Sequence, residues 1–192
     1  MKKSIGRYKT KTAVFISGTG SNLKNLIKFS CKKNSPISIK LVISNKRNAN
    51  GLKYANRKKI EKKIISFIEQ KKSEQKILSL LTKRKMKFIC LAGFMKILSS
   101  NFLKTFDGKV INIHPSLLPK YKGLNTHRRV LENNEKFSGC TVHYVTAKLD
   151  SGNIILQKKV KISKTDTEKT LKRSILRQEH KLYTSAIEKI FN

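Results

Sequence analysis

The stretch V-I-N-I-H-P-S-L-L-P at 110–119 constrains this chain more than any other. A β-branched apolar run leads into Asn112 and His114, and two of the three prolines, Pro115 and Pro119, follow. β-Branched residues fit a pleated, buried surface. Proline has no N–H to donate to a central ladder, so the strand must end here in a turn. In an open α/β sheet the ligand crevice lies beyond the C-terminal ends of the strands. Asn112 and His114 share side-chain parity and arrive at such an end together. A neutral imidazole exchanges a proton near pH 7. An amide and an imidazole N–H aimed at one point stabilise negative charge on a carbonyl oxygen. The alternative is a buried Asn–His pair that satisfies backbone groups at a strand terminus.

The rest of the chain reads as the frame for that stretch. Apolar runs at 12–16, 37–44, 64–68, 88–91 and 110–113 predict strands. Helix-period segments fall between them, at about 21–32, 51–58, 73–85 and a brief one near 100–106. Strands that alternate with helices imply a parallel sheet covered on both faces. A helix follows at 126–133. The period then changes: 139–146 and 154–162 alternate and are expected to pair antiparallel, which extends the sheet. A long helix closes the chain at 166–191, with Leu171, Ile175, Leu182, Ala186 and Ile190 inward. The fold class is therefore α/β, a three-layer, mostly parallel Rossmann-like sheet with an antiparallel extension near the C-terminus. Residues 1–10 read as a frayed basic arm. No long apolar segment follows it, so neither a signal peptide nor a membrane helix is expected.

Composition matters for the choice of partner. The chain carries 44 Lys+Arg against 11 Asp+Glu, a formal net charge of +33. That would suit nucleic acid, but the lysines are spread over nearly every segment, Trp is absent and no nucleic-acid motif appears. The charge favours small anionic substrates instead. Cys31, Cys90 and Cys140 lie far apart and read as thiols of a reducing, cytoplasmic compartment. The four histidines show no metal spacing, so no metal is expected.

Two further segments carry chemistry. Gly18-Thr-Gly-Ser-Asn22 sits between the first strand and the first helix, where backbone N–H groups can converge on an anion. Leu23 stands where a dinucleotide fingerprint has its third glycine, and no G-K-[ST] ending is present. A monophosphate cradle and a plain tight turn capped by Ser21 or Asn22 both fit. Asp150 lies in a turn between the two alternating strands, either as ordinary turn chemistry or as the acid that orients the imidazole. His143, His127 and His180 are less specific. No nucleophile elbow is present, so the residues suggest direct transfer, in which an amine attacks a carbonyl.

With these residues in view, the chain resembles the phosphoribosylglycinamide formyltransferase family. The matching strings are I-S-G-T-G-S-N-L (16–23), S-N-K (44–46), L-A-G-F-M-K-I-L (91–98), N-I-H-P-S-L-L-P-K-Y (112–121), V-H-Y-V-T (142–146), L-D-S-G (149–152) and Q-E-H (178–180). The resemblance implies a formyltransferase fold and transfer of a formyl group from 10-formyltetrahydrofolate to the amine of 5′-phosphoribosylglycinamide in purine synthesis. It implies Asn112, His114 and Asp150 as catalytic residues. It also implies Gly20, Ser21, Asn22, Leu23 and Lys24 as the phosphate site, and Glu179 on the amine and ribose side. The folate wall would be Met95, Lys96, Ile97, Leu98, Asn112, Val145, Thr146 and Leu149. It implies one domain over 1–192, with a phosphate-binding half at 12–110 and a catalytic, folate-binding half at 111–192, as monomer or homodimer. This chain departs from the family pattern at Lys122, where proline is common, at Asn125, where histidine is common, and at Ser151, where glycine is usual. Lys71 and Lys72 stand where a folate-contacting arginine is expected. Rival users of the same donor, a formyltetrahydrofolate hydrolase or a tRNA formyltransferase, would carry an additional domain.

Overall fold

The computed structural model describes residues 8–192. These form seven strands and six helices in the order β1 (Thr10–Ile16), α1 (Ser21–Ser30), β2 (Ile37–Ser44), α2 (Leu52–Arg57), β3 (Glu61–Ile64), α3 (Gln70–Lys83), β4 (Phe88–Leu91), α4 (Ser100–Thr105), β5 (Lys109–His114), α5 (Thr126–Glu132), β6 (Phe137–Tyr144), β7 (Ile154–Lys161) and α6 (Glu168–Phe191). The sheet order is β3-β2-β1-β4-β5-β6-β7. Strands β1 to β5 run parallel, and β6 and β7 add antiparallel.

Side-chain parity sorts the core into two layers. Val14, Ile16, Val42, Cys90, Ile111 and Val142 face α1, α2, α5 and α6. Ala13, Phe15, Leu41, Ile89, Leu91 and Val110 face α3 and α4. Burial on both faces explains why these strands read as continuous apolar runs. The chain moves outward from β1 through β2 to β3, then returns to β4 on the other side of β1. The switch point between β1 and β4 opens the crevice at their C-terminal ends.

Two contacts tie the crevice floor together. Ser17, just after β1, accepts a hydrogen bond from the Met95 N–H and donates to Asn45 Oδ1. Tyr183 on α6 is fully buried, and its hydroxyl points at the carbonyls of Leu91 (2.9 Å), at the end of β4, and Ile111 (3.3 Å), within β5. The Thr167 and Thr170 side chains form a capping box at the start of that helix.

The structure corrects three expectations. The third strand is Glu61–Ile64, not 64–68; it is an exposed, lysine-rich edge held to β2 by backbone pairing. Edge strands carry such charges without an apolar signature, and Ile68 is 93% exposed. Helix α3 begins at Gln70, three residues before the expected start, and Gln70 Nε2 donates to the Ile97 carbonyl. The basic arm lies largely outside the described residues, but its end is docked: Lys9 Nζ reaches the carbonyls of Ser30 (3.1 Å) and Lys32 (2.5 Å), and Thr10 already belongs to β1.

Candidate active site

The glycine loop turns on a close approach. Gly20 has φ +74°, and a Cβ there would lie 2.4 Å from the Gly51 Cα. Gly51 in turn donates its N–H to the Gly18 carbonyl at 2.9 Å. Two glycines pack back to back, and the loop is pinned against the start of α2. Gly20 is the N-cap of α1, with no side-chain cap, so the capping reading of Ser21 or Asn22 does not hold. The first N–H groups of a helix have no intrahelical acceptor, and α1 starts directly after the loop that follows β1. Asn22 is buried; its Nδ2 donates to Glu179 Oε2 at 2.7 Å, while its Oδ1 is buried without a partner. Burial pushes the Glu179 carboxyl above its ordinary value, against the Asn22 hydrogen bond. His180 Nε2 is also buried without a partner, and burial together with the Lys24 ammonium holds its ring below the ordinary imidazole value. Gly20 to Lys24, Glu179 and His180 therefore form one cluster at the start of α1.

The second cluster sits at the ends of β5 and β6. Antiparallel register sets Asn112 directly opposite His143, and Asn112 Nδ2 lies 3.3 Å from His143 Nε2. His143 Nδ1 faces the Tyr144 carbonyl at 2.8 Å. A carbonyl only accepts, so Nδ1 carries the hydrogen and Nε2 accepts from Asn112. His114 Nε2 likewise faces a carbonyl, that of Tyr121, at 2.9 Å and donates to it. Its Nδ1 then lies 3.4 Å from Asp150 Oδ2. The other carboxylate oxygen is 3.6 Å from His143 Nε2. Asp150 thus stands between two imidazoles, and the Gly123 N–H donates to its Oδ2 at 2.9 Å.

Electrostatics follow from this packing. Burial lowers the His114 affinity for a proton, opposed by the Tyr121 carbonyl and the Asp150 charge, and the balance stays below the ordinary value. Burial works the other way on Asp150, but a proton on the His143 ring, the Gly123 N–H and a proton on the His114 ring outweigh it and keep the carboxyl below its ordinary value. A carboxylate beside a neutral imidazole is the result, and a proton arriving at His114 Nδ1 would be stabilised there.

A crevice of about 80 Å³ adjoins this cluster. Of the sequence-predicted folate wall, Lys96, Ile97, Leu98, Asn112, Val145, Thr146 and Leu149 line it, joined by Asp150 and His143. Met95 does not: its side chain is 57% exposed, and its backbone serves the Ser17 bond instead. His114 lies behind Asp150, engaged by Tyr121. Lys72 pairs with Glu69 at 2.6 Å on the surface. His143, Tyr183 and Gly51 were missed as positioning residues. The V-H-Y-V-T string marked His143, but only the β5–β6 register brings it to Asn112. Among the described residues no group of His, Cys, Asp or Glu side chains could hold a metal ion, and no helix is long and apolar enough to cross a membrane.

Known proteins share this architecture. Residues 10–187 match the family model described as formyl transferase. Phosphoribosylglycinamide formyltransferase of Haemophilus influenzae is 39% identical over 181 residues, covering 93% of this chain and 85% of that protein. The trifunctional purine biosynthetic protein adenosine-3 of Gallus gallus is 41% identical over 183 residues, and the chain spans only 18% of its length. The crystal structure of phosphoribosylglycinamide formyltransferase from Brucella melitensis superposes with a TM-score of 0.90 at 39% identity, covering 95% of this chain and 96% of that one.

Proposed function

This chain belongs to the formyl transferase family, and on that premise we propose that it transfers the formyl group of 10-formyltetrahydrofolate to the amine of 5′-phosphoribosylglycinamide. The observation that carries the reading is Asp150 held between His114 Nδ1 and His143 Nε2 beside the crevice. Its similarity to phosphoribosylglycinamide formyltransferases supports the acceptor. Residues 12–110 supply the phosphate-binding half and 111–192 the catalytic, folate-binding half.

The acceptor phosphate takes the first N–H groups of α1, the charge of Lys24 and an N–H of the neutral His180 ring. The unpartnered His180 Nε2 is a buried polar atom that such a ligand would satisfy, while the unpartnered Asn22 Oδ1 can accept only from a hydroxyl or amine of the acceptor. Glu179 faces the amine and ribose side. Lys96, Leu98, Val145 and Leu149 hold the donor. A crevice of about 80 Å³ is smaller than a pterin needs, so the segment at 145–150, where Leu149 is 48% exposed, opens to admit it.

Holding amine and formyl carbon in contact supplies much of the rate. The amine nitrogen bonds to the formyl carbon. The remaining Asn112 N–H and the His114 Nε2–H, released from the Tyr121 carbonyl, stabilise the oxygen as it becomes negative. Asp150 stabilises the imidazolium that forms while Nδ1 transiently holds the proton the amine loses. As the bond from the formyl carbon to the donor nitrogen breaks, the proton lost by the amine ends on that nitrogen. The site is assigned within one copy of the chain. We place it in the cytoplasm: Cys31, Cys90 and Cys140 are free, and burial pushes the Cys140 thiol up to about 12, as suits an inert thiol in a reducing compartment.

The test is a competition among acceptors. Purified protein with 10-formyltetrahydrofolate is expected to formylate 5′-phosphoribosylglycinamide in preference to methionyl-tRNA and to water. Preferential formylation of the tRNA, or release of formate alone, would overturn the reading.

A further inference from the structure

The turn that carries Pro119 also borders a second cavity, of about 360 Å³, which shares no lining residue with the crevice. Its apolar walls come from Leu117, Pro119, Val130 and the Phe137 ring. Val130 is buried, while Phe137 is 38% exposed at the mouth. The polar groups are arranged on one side. Ser138 lines the cavity, is 2% exposed, and its hydroxyl is buried with no hydrogen-bond partner among the described residues. Such an orphan is rare in a folded chain and marks an unmet ligand or water. The Lys159 ammonium sits 3.7 Å from the centroid of the Phe137 ring, and among the described residues it forms no ion pair with a carboxylate. Lys120 is neutralised by Glu135 at 2.8 Å, and the same carboxylate oxygen accepts the Tyr121 hydroxyl at 3.0 Å. The cavity therefore has one uncompensated positive charge, one unused hydroxyl donor and an apolar floor.

Tyr121 connects this cavity to the catalytic cluster. Its ring lines the cavity, and its backbone carbonyl holds His114 Nε2–H. Its φ of +56° is in the left-handed region, which a non-glycine residue keeps only where its surroundings hold it. One residue thus borders the cavity and supplies the acceptor on His114.

We propose that this cavity is a second ligand site that takes a small organic carboxylate with an apolar ring or chain, and that its occupancy acts on His114 through Tyr121. The carboxylate accepts from the Lys159 ammonium and the Ser138 hydroxyl, and the apolar body lies on Leu117, Pro119 and Phe137. The volume admits a ring-bearing acid of about ten heavy atoms. The Lys120–Glu135 pair closes one wall and disfavours a second negative charge there.

Benzoate and its uncharged isostere benzamide are the probes, read by NMR on the intact, isotopically labelled protein. Benzoate is expected to shift the signals of Phe137, Ser138 and Lys159 saturably and to move the His114 ring signals with the same midpoint. Benzamide should bind about ten-fold more weakly, and Lys159→Gln should cost benzoate about ten-fold while leaving benzamide unchanged. Shifts confined to residues 20–24 and Asn112 would mean that the anion enters the catalytic crevice instead, and would overturn the proposal. So would equal binding of the two probes, or of benzoate to the wild type and the Lys159→Gln variant. Saturation at Ser138 with a stationary His114 ring would overturn the coupling through Tyr121. None of these readouts needs formyl transfer, so failure here is separable from failure of the proposed activity.

Discussion

The two sides of the crevice are built by different means. The glycine-loop side is backbone: Gly20 and Gly51 pack against each other, and the Gly18 carbonyl accepts the Gly51 N–H. The formyl-transfer side is made of side chains on turns. Tyr121 and Asp150 have positive φ, and contacts between segments hold them: the His114 ring donates to the Tyr121 carbonyl, Glu135 accepts the Tyr121 hydroxyl, and the Gly123 N–H donates to Asp150. A backbone-built site costs stability when altered. A side-chain site held by turns costs rate.

The largest expected effect tests that division on the side-chain half. Asp150→Asn keeps the shape and the Gly123 hydrogen bond but removes the charge that stabilises protonated His114. Turnover should fall by about 10³-fold with a near-unchanged melting temperature. His114→Ala should lose a similar amount. Either variant retaining near-normal turnover in the formyl-transfer assay would break the comparison and the catalytic assignment with it.

The backbone half should answer in the opposite currency. Gly20→Ala introduces both left-handed strain and a contact at 2.4 Å with Gly51. The loss is about 3 kcal/mol of stability by denaturant titration. A stable Gly20→Ala protein that had lost only turnover would show that the loop is not the rigid part.

Legibility in the sequence follows the same division. The parallel core was readable because its strands are buried on both faces, which makes runs such as 12–16 and 88–91 continuous. β3 was not, because an edge strand is held by backbone pairing and leaves no apolar trace. Asn112 and His114 were readable as polar residues ending an apolar strand before prolines. The role of His143 needed a register across 31 residues, and Tyr183 acts on carbonyls 72 and 92 residues away. Gly51 read only as a helix start. Its use is a contact with Gly20, and periodicity says nothing about a missing Cβ. Met95 sat in a matching string, but the backbone bond to Ser17 turns its side chain out of the crevice.

A third expectation concerns pH and sharpens the contrast between the two carboxylates. His114, His127 and His180 are each held below the ordinary imidazole value by burial. Below ~6.5 the unfolded chain binds more protons at these rings than the folded chain, so stability declines as pH falls through that range. Asp150, also lowered, adds a further loss once pH drops below the ordinary carboxylate range. Glu179 is raised by burial, so its contribution has the opposite sign: it is present at low pH and is lost as pH rises through the folded value. Melting temperature followed from pH 8 downward should fall by several degrees. Glu179→Gln should selectively raise stability at neutral pH relative to the acid end. A melting temperature that rose on acidification to pH ~5.5 would contradict the histidine assignment.

The smallest effect expected comes from two of the chain's departures from the family pattern, which meet in space. Lys122 Nζ donates to Ser151 Oγ at 2.5 Å, and that hydroxyl donates to the Leu149 carbonyl at 2.8 Å. The bond joins the loop that holds His114 through Tyr121 to the turn that carries Asp150. A family member with proline and glycine here would have no such link and would rely on backbone stiffness and freedom instead. Both partners are exposed, so the bond is worth only ~0.5 kcal/mol. Lys122→Pro and Ser151→Gly should each change turnover or donor KM by about two-fold, and the double variant should equal either single one. Additive losses would mean that the two residues act separately, and the link between the two loops would then rest on the Gly123–Asp150 bond alone.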